Sequence, residues 1–296
     1  MRTILVTGAT GTVGSEVVKQ LASSDQRGQS VIRAAIHSQN KADKFKSDNK
    51  TVEIVNFDYN KPDTIADALD HIDTLFLVTL PAPNMANISS SLVKEAKKNG
   101  VKYIVKLSVM KADAEPGFTV GRLHRQEEKI IEESGIPYTF LRPTSFMQSF
   151  VNFYSQTIKT QNAFYLHAGD VRFSFVDVRD VAAVAVKLLT KNGSQHKNKA
   201  YGLTGQEALS YTQAAEILSK ETGKKISYID IPEEDARKGL KQIGFEDWLI
   251  DAVIEGFNYF ITGGYGSQRT TVVEQVTGRR PILFAQFAKD YADSFK

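Results

Sequence analysis

Three glycines near the start of the chain are spaced as in a turn that binds phosphate groups. Gly8, Gly11 and Gly14 follow an apolar strand pattern over residues 3–7 and precede a helical pattern over residues 15–21. The first glycine permits a sharp turn, the second lets the backbone approach a pyrophosphate, and the third lets the helix pack closely against the sheet. The amides and the partial positive charge at the helix N-terminus then form an anion site.

Because strand, glycines and helix occur in this order, the stretch predicts a nucleotide-binding turn. The alternative is a tight connection between a strand and a helix. Two threonines, Thr7 and Thr10, can hydrogen-bond within the turn and towards phosphate. The residues predicted to contact the nucleotide are Gly8, Thr10, Gly11, Thr12, Val13 and Gly14.

The elements that must position this turn alternate between strand and helix. Strand patterns cover residues 31–36, 52–57, 74–79, 103–108 and 138–142. Helical patterns between them cover residues 41–46, 62–69, 84–99 and 121–134. This alternation predicts an α/β fold with a Rossmann-type, doubly wound parallel sheet that binds its ligand at the carboxyl edge of the strands.

After residue 143 the alternation changes, which predicts a smaller, discontinuous α+β lobe in the C-terminal part of the chain. A strand pattern over residues 172–176 and a helical pattern over 178–189 are expected to return to the main sheet. Residues from 199 onward, with a strand over 200–203, are assigned to the lobe. The predicted dinucleotide-binding domain covers residues 1–153 and is completed by about 171–190. The predicted substrate-binding lobe covers residues 154–170 and 191–296.

The composition of the 296-residue chain excludes several classes of function. With no cysteine it has no disulfide, no thiolate catalysis and no cysteine-ligated metal, and its histidines lack the spacing of metal ligands, so no metal is predicted. A net charge of +3, with basic and acidic residues interleaved, does not indicate a nucleic-acid partner. No apolar run reaches the roughly 18 residues of a membrane span, and the chain opens on a strand pattern rather than a signal peptide. We therefore expect a cytoplasmic protein with no membrane partner, compatible with a homodimer.

Five motifs along the chain are diagnostic in combination. They are TGATGTVG (7–14), SGIPYTFLRP (134–143), FVDVRDVA (175–182), LTGQEALS (203–210) and TGRRP (277–281). With them the chain resembles the NmrA-like group of atypical short-chain dehydrogenases/reductases, which includes triphenylmethane reductases, bacterial quinone reductases and ergot-alkaloid reductases of the agroclavine and festuclavine type. The resemblance implies a Rossmann domain, a bound nicotinamide nucleotide and a substrate cleft roofed by the C-terminal lobe.

The end of the second strand pattern favours NADP over NAD. An NAD site places Asp or Glu about 20 residues after the glycines, where it binds the ribose 2′-hydroxyl, but this sequence has no acid between Ile36 and Asp43. His37 and Lys41 could instead bind a 2′-phosphate. A neutral imidazole binds phosphate less strongly than the guanidinium of many relatives, so the preference is expected to be modest. The alternative is that His37 is an ordinary loop residue.

The resemblance also implies contacts for the rest of the cofactor. Asp58 corresponds to the position that faces the adenine, with Tyr59 beside it, although Asp58 could equally cap the helix that begins near Pro62. Backbone groups implied to line the adenosine and ribose belong to Leu77, Val78 and Thr79. For Thr79, ordinary packing at a strand end is the alternative.

Catalytic residues are implied at two positions. The best-known short-chain enzymes use a Tyr-x-x-x-Lys pair, and alignment on the SGIP motif places His124 at the lysine and Val120 at the tyrosine. The usual proton relay is therefore missing. His124 could hydrogen-bond the cofactor ribose or donate a proton, because an imidazole titrates near neutral pH. Its alternative is a surface residue on a charged helix. Ser108 falls at the catalytic-serine position, where it is implied to contact the substrate or the nicotinamide of the cofactor, although a serine at a strand end is commonplace.

Large apolar side chains follow the sixth strand pattern. Pro143 is implied to wall the nicotinamide pocket, and Phe146, Met147 and Phe150 are predicted to contact a flat aromatic substrate. The spacing of these three residues also fits a helical stripe that faces the core.

These features together predict an NADP(H)-dependent oxidoreductase that reduces an electrophilic small molecule by hydride transfer. Quinones, azo or triphenylmethane dyes and iminium compounds are suitable acceptors because they are already electron-poor and need little acid from the protein. The alternative is a non-enzymatic redox sensor of the NmrA type, which binds NAD(P) and a partner protein. A sugar-nucleotide epimerase is disfavoured because it needs the Tyr-x-x-x-Lys pair.

Overall fold

The computed structural model of the chain describes residues 2–23, 30–38, 42–43, 45, 51–190 and 194–296. The chain divides into two compact units, which we call the N-terminal unit and the second unit. The N-terminal unit comprises Met1–Ala112, Leu123–Arg142 and Val178–Gly202. The second unit comprises Asp113–Arg122, Pro143–Asp177 and Leu203–Lys296.

The strands and helices of the described residues are numbered here in chain order. The strands are β1 Arg2–Val6, β2 Ser30–Ile36, β3 Glu53–Asn56, β4 Thr74–Leu77, β5 Tyr103–Leu107, β6 Tyr138–Pro143, β7 Ala163–Leu166, β8 Arg172–Phe173, β9 Lys199–Leu203, β10 Leu209–Ser210 and β11 Ser227–Asp230. The α-helices are α1 Thr12–Ser23, α2 Pro62–Leu69, α3 Met85–Lys98, α4 Thr119–Ser134, α5 Ser155–Gln161, α6 Val178–Thr190, α7 Tyr211–Thr222, α8 Glu233–Gln242, α9 Asp247–Gly263, α10 Val272–Thr277 and α11 Phe284–Asp290. Within these described segments, no helix is both long and apolar enough to cross a membrane.

A seven-stranded sheet has the order β3-β2-β1-β4-β5-β6-β9. Its pairs from β3 through β6 are all parallel, which confirms the predicted α/β fold of the Rossmann type. Val6 pairs with Phe76, and Leu77 pairs with Lys106. The carboxyl ends of β1, β4 and β5 therefore lie side by side at one edge of the sheet, where this fold binds its ligand.

The sheet and its helices bury an apolar core because both carry apolar residues at the required spacing. Every residue of β4 and the last three residues of β1 are buried, as expected of parallel strands covered by helices on both faces. Helix α1 buries one face of helical spacing. The buried residues of that face are Val13, Gly14, Val17, Val18 and Leu21.

Two elements differ from their predicted places in the sheet. The segment 172–176, predicted to return to the main sheet, forms only the short strand β8, which pairs antiparallel with β10. The seventh strand of the main sheet is instead β9, which was assigned to the lobe. Of the segment 172–176, only Arg172 and Phe173 form a strand, and Val176 makes an isolated parallel bridge with Phe146. Helix α6 belongs to the N-terminal unit, as predicted.

The boundaries of the units also differ from the predicted domains. Residues 113–122, 143–153 and 171–177, which the prediction placed with the Rossmann domain, belong to the second unit. Residues 191–202, which it placed in the lobe, belong to the N-terminal unit. The division therefore falls at the end of β6 rather than in the helical segment that follows it.

The second unit has a core of its own. A π-helical turn, Phe150–Tyr154, precedes α5, and the two short sheets pair β7 with β11 and β8 with β10. Helix α7 begins with a capping box in which the Ser210 side chain accepts from the amide of Gln213 and the Gln213 side chain accepts from the amide of Ser210. Many of the buried side chains are aromatic, and they include Phe150, Phe164, Phe173, Phe175, Tyr211, Phe284 and Phe287.

Candidate active site

The glycine turn joins β1 to α1 as predicted. Gly8 has φ +60°, in the left-handed region that favours glycine, and a Cβ added there would lie 3.1 Å from that of Val78. A Cβ added at Gly14 would overlap the carbonyl oxygen of Gly8, so only glycine lets the helix begin so close to the turn. The amide of Gly11 donates to the carbonyl oxygen of Gly8 at 2.9 Å. Gly8, Thr10, Gly11 and Thr12 are exposed, whereas Val13 and Gly14 are buried. This close-packed, exposed backbone fits the pyrophosphate of a dinucleotide.

Thr7 connects β1 to β4 rather than facing phosphate. Its buried hydroxyl lies 3.0 Å from the carbonyl oxygen of Val78, to which it donates, and it accepts from the amide of Val78 at 2.8 Å. The predicted hydrogen bond from Thr7 towards phosphate is therefore wrong. Thr10 is exposed, and its contact with phosphate stays a prediction.

Tyr59 borders the same strand end. Its hydroxyl donates to the carbonyl oxygen of Val78 at 2.6 Å. Burial raises the pKa of Tyr59 to about 12, against a hydrogen bond with Thr7 and with help from the charge of Glu127, so the phenol remains a donor at neutral pH. Leu77 is fully buried. The contacts of Tyr59, Leu77 and Val78 with adenosine stay predictions.

A carboxylate faces His37 across the ends of β2 and β3. Asp58 Oδ2 lies 3.7 Å from His37 Nδ1 and 3.9 Å from Lys61 Nζ, and the His37 side chain is exposed. Asp58 Oδ1 accepts from the amide of Asn60 at 2.9 Å. Helix α2 begins after Lys61 without any side-chain cap, so the cap alternative for Asp58 is wrong. Lys41, the other predicted phosphate contact, lies outside the described residues, as does part of the helix predicted over 41–46.

A lysine is buried in β5. The Nζ atom of Lys106 lies 2.9 Å from Glu127 Oε2 on α4, and neither side chain is exposed to solvent. The same Nζ donates to Thr79 Oγ1 at 2.9 Å and to the carbonyl oxygen of Leu107 at 2.7 Å. Thr79 donates to Glu127 Oε2 at 2.9 Å, and Ser89 on α3 donates to the other carboxylate oxygen. We call Lys106 and Glu127 the buried ion pair.

The buried ion pair is charged because each partner compensates the burial of the other. Burial raises the pKa of the Glu127 carboxyl, but the Lys106 ammonium and hydrogen bonds from His124, Ser89 and Lys106 outweigh it and hold the pKa at about 2. Burial lowers the pKa of Lys106, and the carboxylates of Glu127 and Glu128 oppose that change. We therefore assign an ammonium and a carboxylate at neutral pH.

His124 is buried against this ion pair. It is only 7% exposed, and its Nδ1 atom lies 3.5 Å from Lys106 Nζ and 3.5 Å from Glu127 Oε2. Burial lowers the pKa of His124 and the charge of Lys106 lowers it further, against the opposing charges of Glu127 and Glu128. The imidazole is therefore neutral at neutral pH. The alternative of a surface histidine is wrong, and of the two predicted roles the structure favours hydrogen bonding over proton donation.

The hydroxyl of Ser108 is hydrogen-bonded to a second buried carboxylate, that of Glu128. Its hydroxyl donates to Glu128 Oε1 at 2.7 Å. Arg142 on β6 donates to both oxygens of Glu128, at 2.9 and 2.6 Å, and Arg125 donates to Oε2 at 3.1 Å. Because its one hydrogen points to Glu128, Ser108 presents only an acceptor oxygen. The predicted contact of Ser108 with the substrate or the nicotinamide stays a prediction, in which Ser108 would accept a hydrogen bond rather than donate one.

The residues predicted to contact the substrate lie in the second unit. Phe150 is fully buried, and five aromatic rings of that unit surround it at centroid distances of 5.0 to 5.9 Å. Met147 belongs to the same core. For these two the core-facing alternative holds, and their predicted substrate contacts are corrected. Phe146 is partly exposed, and its contact with the substrate and that of Pro143 with the nicotinamide stay predictions.

Lys106, Glu127 and Glu128 are missing from the sequence-based predictions. A signal for Lys106 exists, because a lysine flanked by Val105 and Leu107 in a strand covered on both faces requires a buried partner. The two glutamates look like part of a solvated helix face in the sequence. Only the fold shows that both turn inward.

The family of this chain follows from its match to a family model. The model of the NmrA-like family matches residues 1–278. The chain belongs to the NmrA-like family. It is 35% identical, over 292 residues, to the NAD(P)H azoreductase of Xenophilus azovorans, and the alignment covers 99% of either chain.

Solved structures of two reductases resemble this NmrA-like chain over nearly its whole length. The NADPH-dependent quinone oxidoreductase of Escherichia coli, complexed with NADPH, has a TM-score of 0.83 at 26% identity, over 97% of this chain and 99% of that one. The triphenylmethane reductase of Citrobacter sp. has a TM-score of 0.82 at 26% identity, over 99% and 100%. Because these relatives are named reductases, the prediction of an NAD(P)H-dependent reductase is confirmed at the level of enzyme class.

Proposed function

We propose that this member of the NmrA-like family reduces electron-poor small molecules by hydride transfer from NADPH. The observation that carries the proposal is His124, a neutral imidazole held against the buried ion pair beside the carboxyl ends of β4 and β5. It takes the place of the lysine of other short-chain enzymes, with Val120 at the place of the tyrosine, and the sequence has no tyrosine between Tyr103 and Tyr138.

The residues present fit a nicotinamide nucleotide, which supplies a hydride when bound. The exposed glycine turn and the N-terminus of α1 would hold the pyrophosphate. Tyr59 and Val78 would border the adenosine, and His124 would hydrogen-bond the ribose next to the nicotinamide. The azoreductase, the quinone oxidoreductase and the triphenylmethane reductase described above support this assignment by their names.

The chemistry of the site limits the class of acceptor. Ser108 has its hydrogen on Glu128, and His124 is neutral, so neither offers an acidic proton to the substrate. General acid catalysis typically contributes about 10²–10⁴-fold to a rate. A site without it suits acceptors that stabilise the added electron pair themselves. We therefore propose quinones, azo dyes and cationic acceptors of the iminium or triphenylmethane type.

Turnover by the wild type and by His124→Ala tests the proposal. We expect NADPH oxidation by the wild type with at least one quinone or dye. His124→Ala should reduce kcat/KM about 3–10-fold, the effect of losing one hydrogen bond of about 1 kcal/mol. The exposed His71 provides the control, and His71→Asn should leave the rate unchanged. Loss of more than about 10⁴-fold would make His124 an obligatory acid. NADPH binding without turnover on any acceptor would favour the redox sensor.

Cofactor choice is proposed to favour NADPH only weakly, because Asp58 lies beside His37. A 2′-phosphate bound by His37 would be repelled by this carboxylate. Asp58→Asn should therefore raise the ratio of NADPH to NADH affinity about 2–5-fold, the usual size of an exposed charge interaction. His37→Glu should reverse the preference. Calorimetric titration of both cofactors measures this, and a preference for NADH in both the wild type and Asp58→Asn would contradict it.

We also propose that the protein works in the cytoplasm, with a small-molecule acceptor as its partner. The absence of cysteine is compatible with that reducing compartment. We also propose that the protein forms a homodimer, and a measurement of its mass in solution tests this.

A further inference from the structure

One ring nitrogen of His124 lies against Lys106, whose ammonium group is held by hydrogen bonds. Lys106 directs its three ammonium hydrogens at Glu127 Oε2, Thr79 Oγ1 and the carbonyl oxygen of Leu107, at 2.7 to 2.9 Å. Lys106 and the Leu107 carbonyl belong to β5, Glu127 belongs to α4, and Thr79 lies two residues after β4. Because every hydrogen has an acceptor, Lys106 has one preferred position. The Nδ1 atom of His124 rests against this position at 3.5 Å.

The other ring nitrogen of His124 has a different environment. No described residue hydrogen-bonds its Nε2 atom, and the described residues contain no buried side-chain nitrogen or oxygen that lacks a partner. Nε2 is therefore the polar atom of this buried ring that reaches solvent. A ligand at this site would meet Nε2 and not Nδ1.

The charges around the ring oppose a second positive charge. The charged groups that face His124 are Lys106 from β5 and Glu127 and Glu128 from its own helix. The neutral hydroxyls of Thr79 and Ser89 bind Glu127. Glu127 is already compensated by Lys106 at 2.9 Å. Glu128 is compensated by Arg142 and Arg125.

We propose that Lys106 is a positioning residue that, together with Glu127, presents His124 as a neutral ring with Nε2 directed to the ligand. This inference rests on the proposed function for the identity of the ligand, a nicotinamide nucleotide. His124 then acts as a hydrogen-bonding contact for that ligand. A reduced product that requires a proton takes it from water, which acts as the acid.

Titration of His124 by NMR tests the inference on the protein without cofactor. Histidine carbon and nitrogen resonances are recorded against pH, and His124→Gln identifies the His124 signal by its disappearance. In the wild type we expect His124 to stay neutral at pH 7. In Lys106→Met its pKa should rise by about 1–3 units, because a positive charge close to the ring is removed while Glu127 remains.

Two further variants of Lys106 and one control at Lys102 keep the test decisive. Lys106→Gln retains a hydrogen-bonding side chain if Lys106→Met does not fold, and it should move the pKa in the same direction. Lys106→Arg keeps the charge and should restore a low value. Lys102→Met, which removes an exposed lysine paired with Asp73, is the matched control and should leave His124 unchanged. Equal pKa values for His124 in the wild type and both neutral variants would overturn the inference.

Addition of NADPH separates this inference from the proposed function. If NADPH shifts the His124 resonances of the wild type, the ring contacts the bound ligand as proposed. If NADPH binds by calorimetry but leaves these resonances unmoved, the inference fails while the proposed cofactor stands. If NADPH does not bind at all, the proposed function fails, and the titration still decides whether Lys106 controls His124.

Discussion

Replacement of Gly11 by aspartate should abolish measurable binding of NADPH. A Cβ at this position would lie 3.2 Å from the carbonyl oxygen of Gly8, a close contact that requires a shift of a few tenths of an ångström. Its carboxylate would project from the exposed turn towards the pyrophosphate. Two unit charges about 4 Å apart near a protein surface repel by about 4 kcal/mol, which corresponds to roughly 1,000-fold in affinity.

Two controls separate charge from shape and folding in this experiment. Gly11→Asn has nearly the same shape without the charge, and it should retain substantially more affinity than Gly11→Asp. Gly239→Asp introduces the same residue on the exposed helix α8, where an added Cβ meets nothing within 4 Å, and it should bind NADPH like the wild type. Unchanged affinity in a folded Gly11→Asp variant would remove the glycine turn from the cofactor site.

The second large effect concerns the stability of the buried ion pair. Glu127→Ala should lower the free energy of unfolding by about 3–5 kcal/mol, because it leaves the Lys106 ammonium buried without its partner. Lys106→Met combined with Glu127→Gln should recover much of that loss, since no uncompensated charge remains and the introduced amide can still accept from Ser89. Lys238→Met removes an exposed ion pair with Glu234 and should cost less than about 1 kcal/mol. Urea denaturation measures all three.

The same pair predicts how stability depends on pH. The pKa of Glu127 is lowered on folding from 4.5 to about 2. Its contribution is therefore fully present above about pH 4.5 and is lost as the pH falls from 4.5 towards 2. The difference corresponds to about 3 kcal/mol. Glu127→Gln should lack this component, so that its unfolding free energy approaches that of the wild type as the pH falls. A constant difference between pH 6 and pH 2 would contradict the assignment of a charged pair.

The sequence predicted those parts of the site that depend on local spacing. Gly8, Gly11 and Gly14 act through the backbone between one strand and one helix, so their positions alone are informative. The alternation of strands and helices likewise predicted the order of elements in the N-terminal unit. Strand β9 was misplaced because its partner in the sheet, β6, is more than 50 residues away along the chain.

The parts that were missed depend on contacts between distant segments. Lys106 and Glu127 are separated by 21 positions, and each looks ordinary without the other. The resemblance singled out His124, but its burial could not be read from a helix rich in charged residues. Phe150 fitted either a substrate wall or a core stripe, and only the rings packed around it distinguish the two.

The most direct test of the account follows the hydride itself. The wild type is incubated with NADPH that carries deuterium at both positions of C4 and with a cationic triphenylmethane dye, whose reduction forms a stable bond between carbon and hydrogen. A parallel incubation uses unlabelled NADPH in deuterated water. We predict a colourless product that carries one deuterium from the nicotinamide and none from deuterated water, and no such product with Gly11→Asp. A folded wild-type protein that binds NADPH but transfers no deuterium, to this dye or to an iminium acceptor, would contradict the assignment as a reductase.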